Sequence, residues 1–334
     1  MDPDTLRAEP PVRPLWWRRL AAWAAGLVLA GLTVIVGCRA LDVDATTPVP
    51  QLLAFLPWLL VPCALALAAA ALARWRLGLV WAVALLAVTS WFLQPYDPAG
   101  DSATSARAAE GREVARLKVL TSNVLFGGAT SELVSLVRRE QPDLVFVQEC
   151  DAACAELLRS RLRYPYDEVV PAPGAEGSSI LSRFPLESAP RLRSTLAMPG
   201  AVATVAGQRI RLRLAHPMPP IPGGVGVWRR ELSALRDWSA AQRSSGPLLI
   251  AGDFNASQDH AAFRALLDTG LRDAAAVTGS ARTPSWPATV SPPLGTQIDH
   301  VLASPALEPR SARFLQLADT DHRALVVELT LRAG

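Results

Sequence analysis

Polar residues able to do chemistry stand directly after short apolar runs in the last two thirds of this 334-residue chain. Asn123 follows Val119 to Ser122, Glu149 follows Leu144 to Gln148, and His216 ends the run Arg209 to Ala215. Leu248 to Ala251 leads into Gly252, Asp253, Phe254 and Asn255. Two Asp-His pairs, Asp299-His300 and Asp321-His322, complete the set. Sheets gather ligands at strand ends, because the loops there converge on one crevice. An amide oxygen and a carboxylate leaving adjacent strands are the hard oxygen donors that Mg²⁺ or Mn²⁺ accepts. A carboxylate such as Asp253 can take a proton from water. The amide of Asn255, on the same side of an extended chain, can donate to a charged phosphoryl oxygen. An imidazole bonded to a carboxylate keeps one tautomer and a raised pKa, which suits hydrogen bonding to phosphate.

Each signal has a plainer reading when taken alone. Glu149 fits a capping carboxylate, Gly252 to Asn255 a turn, and His216 a core or surface histidine. Trp286 either lines the rim of a site or packs. His260 reads as an ordinary surface residue ahead of a helix. Pro217, Pro219 and Pro220 stiffen the loop that leaves His216, which helps to fix a catalytic group.

The positioning elements are strands expected at Leu117–Ser122, Leu144–Gln148, Ser179–Ser182, Arg209–Ala215, Leu248–Ala251, Ile298–Ala303 and Ala324–Leu331. Helices are expected at Ser131–Gln141, Trp228–Ser244 and Ala261–Thr269. Arginine alternates with Ile and Leu from Arg209 to Leu214, which predicts a strand with one solvated face in an antiparallel or mixed sheet. A nucleic-acid stripe is the less favoured reading of those arginines, because the domain has only a slight positive charge.

In this order the motifs resemble the endonuclease/exonuclease/phosphatase superfamily, which includes deoxyribonuclease I, the inositol polyphosphate 5-phosphatases and the bacterial sphingomyelinases. The resemblance runs from about Leu117 to Leu331 and points to a membrane-anchored bacterial form. It implies an α/β fold, a four-layer sandwich of two mixed sheets flanked by helices, and metal-assisted hydrolysis of a phosphoester. It also implies that Glu149 is the principal ligand of Mg²⁺ (or Mn²⁺), with Asn123 and Asp321 as further metal contacts. Asp253 would orient or deprotonate water, Asn255 would stabilise the transition state, and His322 would contact the phosphate with Asp299 as its partner. His216 would be a second phosphate-contacting histidine, and His300 a supporting residue. The substrate stays open between a lipid headgroup, a nucleic acid and a small phosphoester. An extracellular nuclease is one alternative, and an inactive binding or assembly module another. No position of the motif set is missing, which weighs against the inactive module.

Hydrophobic residues make up 50% of the chain, and the excess lies before residue 96 in three Ala/Leu/Val-rich runs. Leu20–Ala40, Gln51–Ala73 and Leu77–Leu93 each approach the roughly 20 apolar residues that a helix needs to cross a bilayer. This predicts a cytoplasmic segment 1–19, three spans within 20–95, a flexible linker 96–115 and a catalytic domain 116–334. Arg7, Arg13, Arg18 and Arg19 precede the first run, and Arg74 and Arg76 separate the second from the third. By the positive-inside rule the N-terminus is then cytoplasmic and the catalytic domain extracellular, with the lipid bilayer as partner. The four cysteines weigh against a zinc-finger site, since no further Cys or clustered His accompanies them. Cys150 and Cys154 either stay free or form a bridge, which an external location permits but a single helical turn makes awkward.

Overall fold

A computed structural model describes residues 16–98, 111–291 and 294–333. They divide into two units, one ending at Gly37 and resuming over Leu56–Leu93, the other made of Cys38–Phe55 and the chain from Gln94 onward. In the first unit, α1 (Trp16–Ala40), a 3₁₀ turn (Leu56–Leu59), α3 (Leu60–Ala73) and α4 (Arg76–Phe92) pack through Leu29, Ala66, Ala70 and Ala82. Many outward residues of this unit are also apolar, among them Trp23, Leu27, Leu65, Val80 and Trp91. Helices apolar on all sides suit a hydrocarbon surround. Two of them, Trp16–Ala40 with 25 residues and Leu56–Ala73 with 18, are long and apolar enough to cross a membrane; Arg76–Phe92 is shorter.

The second expected run, Gln51–Ala73, is not one continuous helix. A short α2 (Val49–Ala54) stops at Phe55, and Gln51 to Phe55 belong to the second unit. Pro57 has no amide hydrogen to continue an α-helical ladder, and the chain passes it in the 3₁₀ turn. Of the expected linker, residues 99–110 lie outside the described residues, as do Arg7 and Arg13. Its first residues are held in place: Tyr96 donates to Asp268 (2.7 Å), and Arg272 pairs with Asp97 (2.6 Å).

The second unit contains two six-stranded mixed sheets. The first runs β11 (Leu307–Leu315), β12 (Ala324–Arg332), β1 (Glu113–Asn123), β2 (Leu144–Gln148), β4 (Ser178–Ser182), β3 (Tyr166–Val170). The second runs β5 (Leu186–Leu192), β6 (Met198–Val205), β7 (Gln208–Ala215), β8 (Leu248–Asp253), β10 (Asp299–Ala303), β9 (Arg272–Asp273). β1 is parallel to β2 and β7 to β8, while the other pairings are antiparallel. The inner faces meet through Leu117, Val119, Leu212, Leu214, Leu249 and Ala251. On the outside of the first sheet, α5 (Thr130–Glu140) and α6 (Ala152–Arg161) bury Leu133, Val137 and Leu158 against Leu120 and Val145. On the outside of the second, α7 (Val225–Gln242) and α8 (Ala261–Leu267) bury Trp228, Leu232 and Phe263 against Ile250. Helices on both outer faces give the four-layer order. They also explain why β2 and β8 are continuous apolar runs, buried at every residue.

β7 corrects the expectation of a solvated arginine face. Arg209 is exposed and pairs with Glu187, but Arg213 is buried, its guanidinium 4.4 Å from the Trp238 ring centre. It donates to the carbonyls of Pro190 and Met198, and burial lowers its pKa to about 10. The space comes from Gly200, where any β-carbon would collide with the guanidinium. Cys150 and Cys154 form a disulfide. The pair avoids the geometry of a single helical turn because Cys150 lies before Asp151, the residue that caps the N-terminus of α6 through the Cys154 amide (2.9 Å).

Candidate active site

Asn123 ends β1 directly beside Gln148 of β2, so Glu149 leaves the sheet next to it. Glu149 has a left-handed backbone (φ 56°), a conformation uncommon outside glycine, and its carboxylate is held on both oxygens. Oε1 accepts from Asn123 Nδ2 (3.0 Å) and Oε2 from the Phe126 amide (3.0 Å). The Leu125 amide occupies Asn123 Oδ1 (3.0 Å), while Nδ2 also reaches Asp253 Oδ2 (3.2 Å). The group that Asn123 presents to the cluster is therefore its NH₂, a donor that ties Glu149 of one sheet to Asp253 of the other.

On the second sheet Asp253 of β8 lies opposite Asp299 of β10. Two buried carboxylates side by side repel, and His322 balances them. Its Nδ1 donates to Asp299 Oδ2 (2.9 Å), and its Nε2 is 3.7 Å from Asp253 Oδ2. Burial opposes the charge on His322, but Asp299 and Asp253 outweigh it and raise the pKa to about 10. Asp253 is pushed up to about 7, first by burial and then by Asp299, with His322 pulling the other way. His216 Nε2 lies 3.9 Å from Glu149 and 4.0 Å from Asp253. Burial, reinforced by the charge on His322, lowers its pKa to about 3, so it is neutral.

The other expected residues take clear places. Asn255, also left-handed (φ 48°), donates its amide hydrogen to Asp253 Oδ1 (2.8 Å) and its side-chain NH₂ to the Pro217 carbonyl (3.0 Å). It thus fixes both the carboxylate and the proline loop after His216. Asp321 accepts from Trp286 Nε1 (2.8 Å), and its Oδ1 is 4.0 Å from His322 Nε2. His300 faces away from this cluster, bonding Asp273 and the Ala256 carbonyl (2.9 Å each) beneath the loop that follows Asn255. Thr320 donates to the Asn123 carbonyl (2.9 Å) and pins the His322 loop to β1. Gly252 is needed where β8 passes β7, because a β-carbon there would overlap the Ala215 carbonyl. Gly252→Ala is expected to lower stability by about 1–3 kcal/mol, measured by urea unfolding. A variant as stable as the parent would contradict this close approach.

His260 corrects its expected surface position. It is 1% exposed, accepts from the Ser257 amide on Nδ1 (2.9 Å) and donates from Nε2 to the Pro50 carbonyl (2.7 Å). Burial lowers its pKa and keeps the ring neutral. The partner comes from Cys38–Phe55, a segment that the sequence alone does not connect to the site. Gln51, Ala54 and Phe55 of this segment line a cavity of about 580 Å³ together with Glu149, His216, Asp253, Asn255, Asp321 and His322.

The residues fit a divalent cation. Asp253 and Asp299 place carboxylate oxygens within 4.8 Å of each other and of His322, whose protonated ring offers no lone pair and so is not itself a ligand. Asp299 Oδ1 and Asp321 Oδ1 are buried oxygens with no hydrogen-bond partner, which a folded protein rarely leaves uncompensated. The carboxylates supply the hard oxygens that Mg²⁺ and Mn²⁺ take.

Residues 120–322 match the model of the endonuclease/exonuclease/phosphatase family, a stretch that holds every residue described above from Asn123 to His322. The chain belongs to this family. No curated protein matches the sequence. Solved structures with the family's fold include a 3′ phosphatase from Neisseria bound to a product DNA hairpin, 18% identical with a TM-score of 0.55 over 64% of this chain and 99% of that one. TDP2 of D. rerio, complexed with single-strand DNA product, is 16% identical with a TM-score of 0.53 over 64% and 99%. An endonuclease/exonuclease/phosphatase protein of Beutenbergia cavernae is 19% identical with a TM-score of 0.50 over 66% and 72%.

Proposed function

We propose that the chain is a membrane-tethered, divalent-metal-dependent phosphoesterase acting outside the cytoplasmic membrane. The observation that carries the reading is the meeting of Glu149, Asp253 and His322, from both sheets, in one cavity. Glu149 and Asp321, with the free oxygen of Asp299, are the residues that would hold Mg²⁺ or Mn²⁺, which when bound polarises a phosphoryl oxygen. Asp253, with a pKa raised to about 7, takes the proton of the attacking water. His322 stays protonated at neutral pH and donates from Nε2 to a phosphate oxygen, while Asp299 holds the ring in place. Neutral His216 and the amide of Asn255 bind the remaining oxygens.

The test is hydrolysis of bis-p-nitrophenyl phosphate, phospholipid and plasmid DNA with Mg²⁺, Mn²⁺ or EDTA. Turnover in either metal that EDTA abolishes is expected, and turnover that persists in EDTA would remove the metal from the reading. The DNA products in two solved relatives favour a nuclease as second reading. Cleavage of plasmid alone would decide for it. The tether rests on the two helices of sufficient length, and the outer location rests on the arginine distribution.

A further inference from the structure

We propose that the apolar side of the active-site cavity is a subsite for a hydrocarbon substituent of the phosphoester, and that the segment between α1 and Leu56–Ala73 builds part of it. The proposal rests on the phosphoesterase reading and supplies the substrate class that the reading leaves open. The cavity that holds the catalytic cluster is lined as well by Ala54, Phe55, Phe126, Pro220 and Ile221. Phe126 is 59% exposed and Ile221 48%. Large apolar side chains left bare at the mouth of a site mark a surface that something apolar covers.

The backbone at Phe126 is constrained. Leu125 (φ 45°) and Phe126 (φ 53°) are consecutive left-handed residues, neither a glycine, and such strain persists where the surroundings enforce it. The turn is held by the Leu125 amide on Asn123 Oδ1, the Gly128 amide on the Leu125 carbonyl and the Phe126 amide on Glu149 Oε2. One turn therefore sets both the carboxylate and the ring beside it. The inter-helix segment is fastened to the same wall: Gln51 donates to the Pro220 carbonyl, and Thr296 donates to the Ala54 carbonyl (2.6 Å). Immediately after Phe55 the chain enters a helix apolar enough to cross a membrane. A wholly polar ester would leave this wall in water, whereas an alkyl or acyl chain next to the scissile phosphate would cover it.

The experiment uses the full-length chain in phosphatidylcholine nanodiscs with Mg²⁺, and compares p-nitrophenyl methyl phosphate with p-nitrophenyl butyl phosphate. A methylene leaving water is worth about fourfold, so the butyl ester is expected to exceed the methyl ester in kcat/KM by about tenfold or more. Phe126→Ser and Phe55→Ser are expected to bring that ratio toward unity, and Phe126→Leu to keep most of it. The ratio, not either rate, is the readout, which a general loss of folding does not mimic. A wild-type ratio near unity, or a ratio unmoved in both serine variants, overturns the subsite. Calorimetric binding of butylphosphonate against methylphosphonate reads the same preference without turnover. If neither ester is hydrolysed but butylphosphonate binds about tenfold tighter, the phosphoesterase reading fails and the subsite stands. If both are hydrolysed equally, the reverse holds.

Discussion

His322→Gln is expected to lower kcat on bis-p-nitrophenyl phosphate by on the order of 10² to 10³, the usual loss when a preorganised transition-state donor is removed. Glutamine is the better probe because it can still donate to Asp299. Alanine would strand a buried carboxylate, so its effects on folding and on turnover would be confounded. The same substitution has a pH signature in EDTA. A histidine raised from its ordinary 6.5 to about 10 binds its proton more tightly in the folded chain. The stability this gives is complete below about pH 6.5 and is lost as pH rises through about 10. The gap in unfolding free energy between wild type and His322→Gln, measured in urea, is therefore expected to narrow across that window. A constant gap would separate His322 from the charges of Asp299 and Asp253, and unchanged kcat would remove it from the chemistry.

A chain that starts at Gly111 is expected not to fold stably, although it keeps every strand of both sheets. It lacks Cys38–Phe55, and with it four sets of buried contacts. Asp44, fully buried, accepts from the Ala262 amide (2.8 Å) and pairs with Arg229 (3.0 Å). Asp42 pairs with buried Arg264, Arg39 pairs with buried Asp259 (3.5 Å), and the Pro50 carbonyl accepts from His260. Each buried donor or acceptor left unmatched costs about 1–3 kcal/mol, and an unpaired buried charge costs more. Together they amount to on the order of 5 kcal/mol or more, against a total stability of roughly 5–15 kcal/mol. Thermal unfolding of the shortened chain should show no cooperative transition. A transition within a few degrees of the full-length protein would show that the segment is dispensable.

The central strands β2, β8 and β10 were legible in the sequence because they are buried along their length and read as apolar runs, while β7 was legible by its alternation of Arg with Ile and Leu. Edge strands were not. β5 alternates little and is largely exposed, β3 is half-buried, and β11 carries Glu308, Arg310 and Arg313 toward solvent. The gathering of polar residues was legible from position, since Asn123, Glu149, His216, Asp253 and Asp299 all stand at strand ends; their catalytic role is the proposal. What the sequence could not show was contact across long chain separations. His260 looked like a surface residue because its partner at Pro50 lies 210 positions away. Arg213 looked solvated because nothing local announces Gly200 or Trp238. The orientation of the Asn123 amide is likewise set by a neighbour's backbone and not by its own position in a motif.

The packing of Cys38–Phe55 into the same unit as the chain after Gln94 also constrains the threading that the proposed membrane tether can have. Two segments folded into one body share one aqueous compartment, so the chain between them must cross an even number of times. If Leu56–Ala73 crosses, Arg76–Phe92 must carry the chain back despite its 17 residues, and α1 then leaves the N-terminus on the opposite side. This parity owes nothing to the distribution of arginines. The disulfide between Cys150 and Cys154 is compatible with the proposed outer location of that shared side, since such bonds persist where the surroundings are oxidising.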